Sequence, residues 1–301
     1  MLDAKIVHAF EAWLADQDRS EKTINGYLAD IARFAVWFEQ TNGEGLTPER
    51  LTPTDVREFR ALLQRKDAKP STINRALAAI RAFGKWADET GAIQGNPAAK
   101  VKAVKKAELA PQWLDKNQVN ALVRKAEELT QNAKTPPGIR QAVRDEAIIK
   151  ILLNSGLRVS ELCALRLGDV DTKTNKGVLI VRQGKGSKRR EVPMNKETVQ
   201  AIQAWRKVRP SEFGDLLFYG SRGDALTASG IQRRLADIGG QARIEVHPHT
   251  LRHTFAKSLV DAGVTLEKVG ALLGHSSLNT TRVYVTPGER DLREAVERLD
   301  Y

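Results

Sequence analysis

The stretch GLRVSEL, residues 156–162, joins two predicted helices in the second half of the chain. Residues 148–152 before it are mostly apolar, as expected for a buried helix, and the residues after Arg158 begin another helix. An arginine at such a turn is usually a surface residue or one half of a structural ion pair. A catalytic role for Arg158 is therefore indicated only in combination with residues elsewhere in the chain.

A short β-hairpin interrupts this helical pattern. Val178–Val181 is a β-branched apolar run, and RREVPM at 189–194 resumes it after the glycine- and lysine-rich tip GKGSK at 184–188. Further helices are predicted around 195–208, 227–238, 250–262, 265–273 and 289–299. The second part of the chain is thus predicted to be mainly α-helical with a small β-hairpin, an α+β fold class.

The first hundred residues have the apolar spacing of four helices joined by short loops. Ile6, Phe10 and Leu14 share one helical face, and Ser20 and Thr23 are candidate N-caps of the second helix. We expect a compact helical domain over residues 1–95.

A lysine-rich segment bounded by prolines, NPAAKVKAVKKAELAP at 96–111, follows this bundle. Because it is poor in large apolar residues, it is predicted to link the first domain to a second one at 112–301. Its lysines are either solvated or in contact with a DNA backbone. They are Lys100, Lys102, Lys105 and Lys106.

Length and charge agree with two domains and a polyanionic partner. The 301 residues exceed the usual single-domain size of about 100–200, and the net charge is +11. Residues 1–110 hold 17 Lys/Arg against 15 Asp/Glu, whereas residues 111–301 hold 31 against 22. This distribution favours a nucleic acid partner, although a basic solvated surface would have the same composition.

Membrane and secretory classes fit the sequence poorly. No apolar run is long enough to span a bilayer, and the first residues lack the pattern of a signal peptide. Cys163 is the single cysteine, so no internal disulfide can form. We expect a cytosolic protein without a membrane partner, in which Cys163 is a small buried hydrophobe rather than a reactive thiol.

Three further segments carry side chains suited to phosphate chemistry. Each residue taken alone has an ordinary structural explanation, such as a solvated turn or a packed aromatic ring. They are Lys185 at the hairpin tip, His249, Arg252 and His253 on one side of a helical turn, and His275 and Tyr284 after the next helix.

The histidine pair His249 and His253 resembles half of a zinc motif. The position that holds glutamate in HEXXH is Thr250 here, and the guanidinium of Arg252 between the two histidines would repel a divalent cation. No metal site is predicted, and the same turn suits a phosphate clamp.

Together these residues describe attack on a phosphodiester. Arginine pairs bidentately with phosphate and stays charged. Arg158 and Arg252, together with a histidine donor, could therefore neutralise both nonbridging oxygens of the phosphate, a role that a metal ion has in other phosphoryl-transfer sites. Tyrosine has a pKa near 10, so Tyr284 needs a nearby base. The departing oxygen needs a general acid, such as a lysine carried on a hairpin.

Four segments in this order, GLRVSEL, GKGSKRREVP, HPHTLRHTFA and LLGHSSLNTTRVYV, resemble the tyrosine recombinase, or phage integrase, family. The likeness is greatest to the Xer-type members and covers residues 111–290. The helical first domain with its lysine linker is similar to the family's SAM-like core-binding domain. The resemblance implies two domains that form a C-shaped clamp on double-stranded DNA, and no cofactor.

The resemblance also implies a role for each matched residue. These roles are phosphate binding by Arg158 and Arg252, general acid catalysis by Lys185, nucleophilic attack by Tyr284, proton transfer by His249, hydrogen-bond donation by His275, ordering of the site by Glu161, and DNA contact by Lys188 and Arg189.

Such enzymes cleave DNA through a 3′-phosphotyrosine and need neither ATP nor a metal. The resemblance implies a site-specific recombinase, which serves either Xer-like resolution or the integration and excision of a mobile element. Such a protein would act as a dimer on one site and as a tetramer in the synapse. A related recombinase or an accessory protein is a further possible partner. Leu292, Val296 and Leu299 would form the apolar stripe of a helix that docks on a neighbouring protomer or packs on its own domain. The implied location is cytoplasmic, on the nucleoid. DNA relaxation of the type IB topoisomerase kind and non-catalytic DNA binding remain alternatives.

Overall fold

The chain divides into two compact units, Met1–Glu108 and Leu109–Tyr301. The computed structural model describes residues 2–17, 19–105, 112–173, 177–182, 189–220, 223–275, 277, 279–284 and 296. Each unit has its own hydrophobic core. Within these described ranges, no helix combines the length and apolar character needed to cross a membrane.

The first unit is a four-helix bundle. Its helices are α1 (Ala4–Asp16), α2 (Glu21–Asn42), α3 (Pro53–Arg65) and α4 (Pro70–Glu89). Ser20 is the N-cap of α2, because its hydroxyl accepts a hydrogen bond from the Thr23 N–H at 3.3 Å. The prediction that Thr23 could itself be the cap is wrong, since Thr23 lies in the first turn of the helix.

Residues that follow this bundle pack against it. Val101 is buried in the core of the first unit, and the Arg60 side chain donates to the Lys102 carbonyl at 2.9 Å. The Asn74 side chain also binds both backbone groups of Val104, at 2.8 and 2.9 Å. The described part of the predicted linker, residues 96–105, is therefore attached to the first unit.

The second unit is mainly helical with a small antiparallel sheet, which confirms the predicted fold class. Its helices are α5 (Lys116–Asn132), α6 (Pro136–Ser155), α7 (Val159–Cys163), α8 (Lys196–Val208), α9 (Ala228–Gln241), α10 (Pro248–Asp261), α11 (Leu266–Leu273) and α12 (Asn279–Arg282). The predicted helix at 289–299 lies outside the described residues except for Val296, which is exposed.

Three strands form the sheet in the order β1 (Val170–Asp171), β2 (Val178–Val181) and β3 (Arg190–Pro193). The two strands of the predicted hairpin pair as expected, with Leu179 opposite Val192. Both of these side chains are fully buried, so one face of the sheet contributes to the core.

Helix α6 lies at the centre of this unit and packs against α5, α8 and α10. Ile151 and Leu152 are fully buried along it, as expected for a helix surrounded by others. Asp145 is also buried, and it accepts hydrogen bonds from Arg144 at 2.8 Å and from Arg234 at 2.5 Å. This ion pair joins α6 to α9. The C-terminal end of α6 leads directly to the cluster of predicted site residues.

Candidate active site

Helix α6 ends at Gly156, whose φ of +61° is a left-handed conformation that favours glycine. A Cβ atom at this position would lie 2.4 Å from Phe255 Cδ1 and 2.8 Å from Leu273 Cδ2. The turn therefore needs glycine for its conformation and also for its packing. It places Arg158 at the N-terminus of α7, next to α10 and α11.

The carboxylate of Glu161 is the centre of an arginine cluster. Its oxygens accept hydrogen bonds from the Arg158 N–H at 2.8 Å and from Arg158 Nη1 at 3.0 Å. They also accept from Arg190 Nη1 at 3.0 Å and Nη2 at 2.8 Å. Burial alone would raise the pKa of Glu161, but the hydrogen bonds from Arg190 and Arg158 and their charges outweigh it and lower that pKa.

Arg252 approaches the same region from α10 and is almost completely buried. Its Nη1 donates to the Gly156 carbonyl at 2.5 Å, and its Nη2 donates to the Leu273 carbonyl at 2.8 Å. Burial, followed by the charge of Arg158, lowers the pKa of Arg252 to about 10. The guanidinium is therefore still charged at neutral pH, and it connects the end of α6 to the end of α11.

Tyr284 lies beside His253, the residue that follows Arg252 on α10. The Tyr284 hydroxyl is 2.8 Å from His253 Nδ1, and the tyrosine is only 3% exposed. Burial raises the pKa of Tyr284, whereas the charges of Arg252 and Arg158 oppose that increase. Burial also lowers the pKa of His253, with further contributions from His249 and Arg252. A neutral His253 can thus accept the proton of the phenol.

His275 follows Gly274, the left-handed residue that ends α11. Its Nδ1 is 2.9 Å from the Thr281 hydroxyl. Burial and then the charges of Arg252 and Arg158 lower the pKa of His275 to about 4, so the ring is neutral at pH 7. If the Thr281 hydroxyl donates to Nδ1, the ring proton is on Nε2, where it can be donated to a ligand.

The structure thus groups five of the residues that the sequence singled out. They are Arg158, Glu161, Arg252, His275 and Tyr284, which are linked by shared hydrogen bonds or by their effects on one another's pKa. His249 is exposed in the first turn of α10, and its charge contributes to the lowered pKa of His253.

The predicted DNA contacts that the structure describes are exposed side chains. Lys185, Lys188 and Lys106 lie outside the described residues. Arg189 is exposed, and its Nη2 donates to Glu191 Oε1 at 3.2 Å. The remaining lysines are exposed on the segment after the first bundle; they are Lys100, Lys102 and Lys105. Over the ranges that the structure describes, no three His, Cys, Asp or Glu side chains are grouped so that they could hold a metal ion.

Two members of the site were not assigned by the sequence. Arg190 has the same strand face as the buried Val192 two residues later, so the alternation of β3 could have indicated that its side chain points inward. His253 was considered as a metal ligand or as part of a phosphate clamp on its turn, but not as a partner of Tyr284. No local pattern could have shown its contact with Tyr284, which depends on the packing of α10 against the segment after α11.

Comparison with known proteins identifies the family to which both units of the chain are similar. Residues 112–290 match the phage integrase family, and residues 7–91 match the phage integrase N-terminal SAM-like domain. The tyrosine recombinase XerC of Alcanivorax borkumensis is 34% identical over 286 residues, which cover 92% of this chain and 88% of the relative. The XerC of Xanthomonas axonopodis pv. citri is 30% identical over 275 residues, or 88% and 86% of the two chains.

A solved structure also shares the fold. The XerH site-specific recombinase bound to its palindromic difH substrate superimposes with a TM-score of 0.75 at 22% identity, over 91% of this chain and 79% of that chain. The matched family spans more than half of the sequence, and both XerC relatives are aligned over most of their length. The chain therefore belongs to the phage integrase family and is a site-specific tyrosine recombinase.

Proposed function

We propose that Tyr284 cleaves one DNA strand by attacking a backbone phosphate. The phenolic oxygen forms a bond to phosphorus, and the bond from phosphorus to the 5′-oxygen breaks, which leaves a 3′-phosphotyrosine and a free 5′-hydroxyl. That hydroxyl then attacks the phosphotyrosine of the partner strand and releases the tyrosine of the protomer that cleaved it, while the partner strand's 5′-hydroxyl attacks the first phosphotyrosine and releases Tyr284. The observation that carries this proposal is the Tyr284 hydroxyl bound to His253 within the field of Arg158 and Arg252.

The charge of the cluster suits a phosphate. In the described part of the site, the carboxylate of Glu161 binds Arg158 and Arg190, and Arg252 adds a third guanidinium close enough to feel its charge. The resulting excess of positive charge is partly buried, where charge is screened less than in water. Arg158 and Arg252, as fixed donors, would stabilise the extra negative charge of a pentacoordinate transition state without a metal.

Proton transfers complete the proposed reaction. Neutral His253 accepts the Tyr284 proton when its own ring proton is on Nε2, and His275 donates a hydrogen bond to the phosphate through its Nε2–H. Lys185 protonates the departing 5′-oxygen, and His249 assists proton transfer at the edge of the site. The roles of Lys185 and His249 rest on the family resemblance.

The proposed substrate is a double-stranded recombination site. The XerH structure is a complex with the DNA substrate of that protein, and the second unit of this chain carries most of the positive charge. We propose a dimer on one site and a tetramer in the synapse, with the segment after Tyr284 docking on a neighbouring protomer. Three further points remain predictions: a clamp formed by the two units, DNA contacts from the exposed lysines, and a cytoplasmic location on the nucleoid.

A nicked suicide substrate tests the chemistry, because loss of the short 5′ fragment traps the covalent adduct. Wild-type protein is expected to form an adduct, whereas Tyr284→Phe forms none and Arg158→Ala or Arg252→Ala forms it at least about a hundredfold more slowly. An adduct with Tyr284→Phe would refute the proposed nucleophile. Joining of two differently labelled duplexes distinguishes recombination from topoisomerase-like relaxation, and DNA binding without any adduct would favour a non-catalytic protein.

A further inference from the structure

Arg190 is a buried cation beside the proposed phosphate site that no part of the reaction above uses directly. It is the first residue of β3, and its side chain is only 9% exposed. In sequence it follows the hairpin tip that carries Lys185. A guanidinium at this depth needs compensation, since burial of an unpaired charge is strongly unfavourable.

The bonds of Arg190 connect two elements of the site. Its two Nη atoms bind both oxygens of Glu161, at 3.0 and 2.8 Å, and its Nε donates to the Leu272 carbonyl at 2.9 Å. The next carbonyl along the chain, that of Leu273, accepts from Arg252. Arg190 and Arg252 therefore bind consecutive carbonyls at the end of α11, while Arg190 and Arg158 share Glu161.

Space around the guanidinium supports a specific requirement for arginine. A Cβ atom at Gly274 would lie 2.8 Å from Arg190 Nη1, so this left-handed glycine lets the guanidinium approach the chain. Lysine has a single nitrogen and cannot form the bidentate pair with Glu161 and the bond to Leu272 together. The planar fork is thus matched to both partners.

Arg190 also affects the charge that Arg158 presents. Glu161 would pair with Arg158 alone if Arg190 were absent, and the carboxylate would then cancel most of the charge of Arg158. With Arg190 present, Glu161 is shared between two cations. Arg158, whose side chain is 39% exposed, keeps positive charge for a ligand at the surface.

We propose that Arg190 is a positioning residue of the recombinase, which fixes Glu161 and the end of α11 so that Arg158 and Arg252 are held at the spacing that clamps the scissile phosphate. This inference rests on the proposed roles of Arg158 and Arg252. It assigns to Arg190 no contact with the reacting atoms.

The test uses the full chain with Arg190→Met and Arg190→Lys on the suicide substrate. Both variants are expected to bind DNA within about threefold of wild type but to form adduct roughly 10–100-fold more slowly, the range typical when a supporting residue behind a functional group is removed. Arg206→Met is the matched control, because Arg206 is another partly buried arginine that binds carbonyls, those of Leu167 and Val170, in the same unit. Its adduct rate per folded molecule should stay within about twofold of wild type.

A second measurement distinguishes positioning from a general loss of stability. His275 is surrounded by Arg252, Arg158, Arg190 and His253, whose charges add to burial in lowering its pKa. NMR titration should therefore show a higher His275 pKa in Arg190→Met than in wild type, and no change in Arg206→Met. Glu161→Gln combined with Arg190→Met should be little slower than the slower single variant, because the two residues act through one another.

Adduct formation at the wild-type rate in either Arg190 variant would overturn the proposal. If Arg190→Met does not fold, Arg190→Lys decides alone, because it retains the charge and loses only the geometry. A normal adduct yield from Arg158→Ala would instead overturn the proposed function, which is a separate outcome of the same assay.

Discussion

The substitution Gly156→Ala tests the turn that precedes the first arginine. A left-handed conformation costs a residue with a Cβ atom about 1 kcal/mol, and the added methyl would overlap Phe255 and Leu273. Overpacking of this kind typically costs about 1–3 kcal/mol. The free energy of unfolding of the second unit should therefore decrease by roughly 2–4 kcal/mol, which lowers its Tm by about 5–15 °C for a unit of this size.

Gly263→Ala is the matched control for this prediction. Gly263 also has a positive φ, +78°, but a Cβ atom there would meet no other atom within 4 Å, so only the conformational cost of about 1 kcal/mol applies. Scanning calorimetry of both variants compares the two effects directly. Equal Tm values would show that Phe255 and Leu273 yield freely and that the packing argument is wrong.

Activity should follow the same contrast. The Gly156 carbonyl accepts a hydrogen bond from Arg252, so displacement of Phe255 or Leu273 moves the support of a proposed phosphate-binding group. Misplacement by about 1 Å can slow a reaction a hundredfold, and we expect Gly156→Ala to lose at least about tenfold in adduct rate per folded molecule. Gly263→Ala should retain the wild-type rate.

Three further predictions concern groups that are partly or fully buried. His253→Gln should slow adduct formation by about a hundredfold. In wild type the adduct rate should fall at acid pH, because protonation of His253 below its lowered pKa removes the acceptor for the Tyr284 proton. This fall should be weaker in the variant, and an unchanged pH profile would contradict the role of His253. Asp145→Asn should cost about 3–5 kcal/mol in urea denaturation, because it leaves two partly buried guanidiniums without a counter-charge, and a loss below about 1 kcal/mol would contradict the estimate. Burial raises the pKa of Cys163 to about 11, so iodoacetamide at pH 8 should alkylate the urea-unfolded chain and leave native Cys163 unmodified; rapid modification of the native protein would show that the thiol is reactive.

Local patterns in the sequence predicted much of the fold. Val178–Val181 was predicted because four consecutive β-branched or aliphatic residues after a glycine are typical of a strand, and it forms β2 as expected. Strand β1 was not predicted, because Val170–Asp171 has only two residues and cannot show a periodicity. Segment β1 is a strand because it pairs with β2, where Val170 lies opposite Leu179.

The site was predictable in its residue types but not in its connections. Arg158 and Glu161 are three residues apart, so their contact follows from the first turn of a helix. The bond between Arg190 and Glu161 joins residues 29 positions apart, and that between His253 and Tyr284 joins residues 31 positions apart. These pairs depend on tertiary packing, which a single sequence without coordinates does not reveal.

The buried position of Tyr284 has a consequence for the integrity of the DNA that this protein searches. An aromatic ring that is 3% exposed and hydrogen-bonded to His253 is held in place by roughly 3 kcal/mol, so about one free molecule in a hundred has this ring released. A recombinase that scans long stretches of DNA would otherwise nick it at random sites. If Tyr284 is the nucleophile, as proposed, a correct site has to supply the energy that brings its hydroxyl to the phosphate, and accidental strand breakage elsewhere is rare.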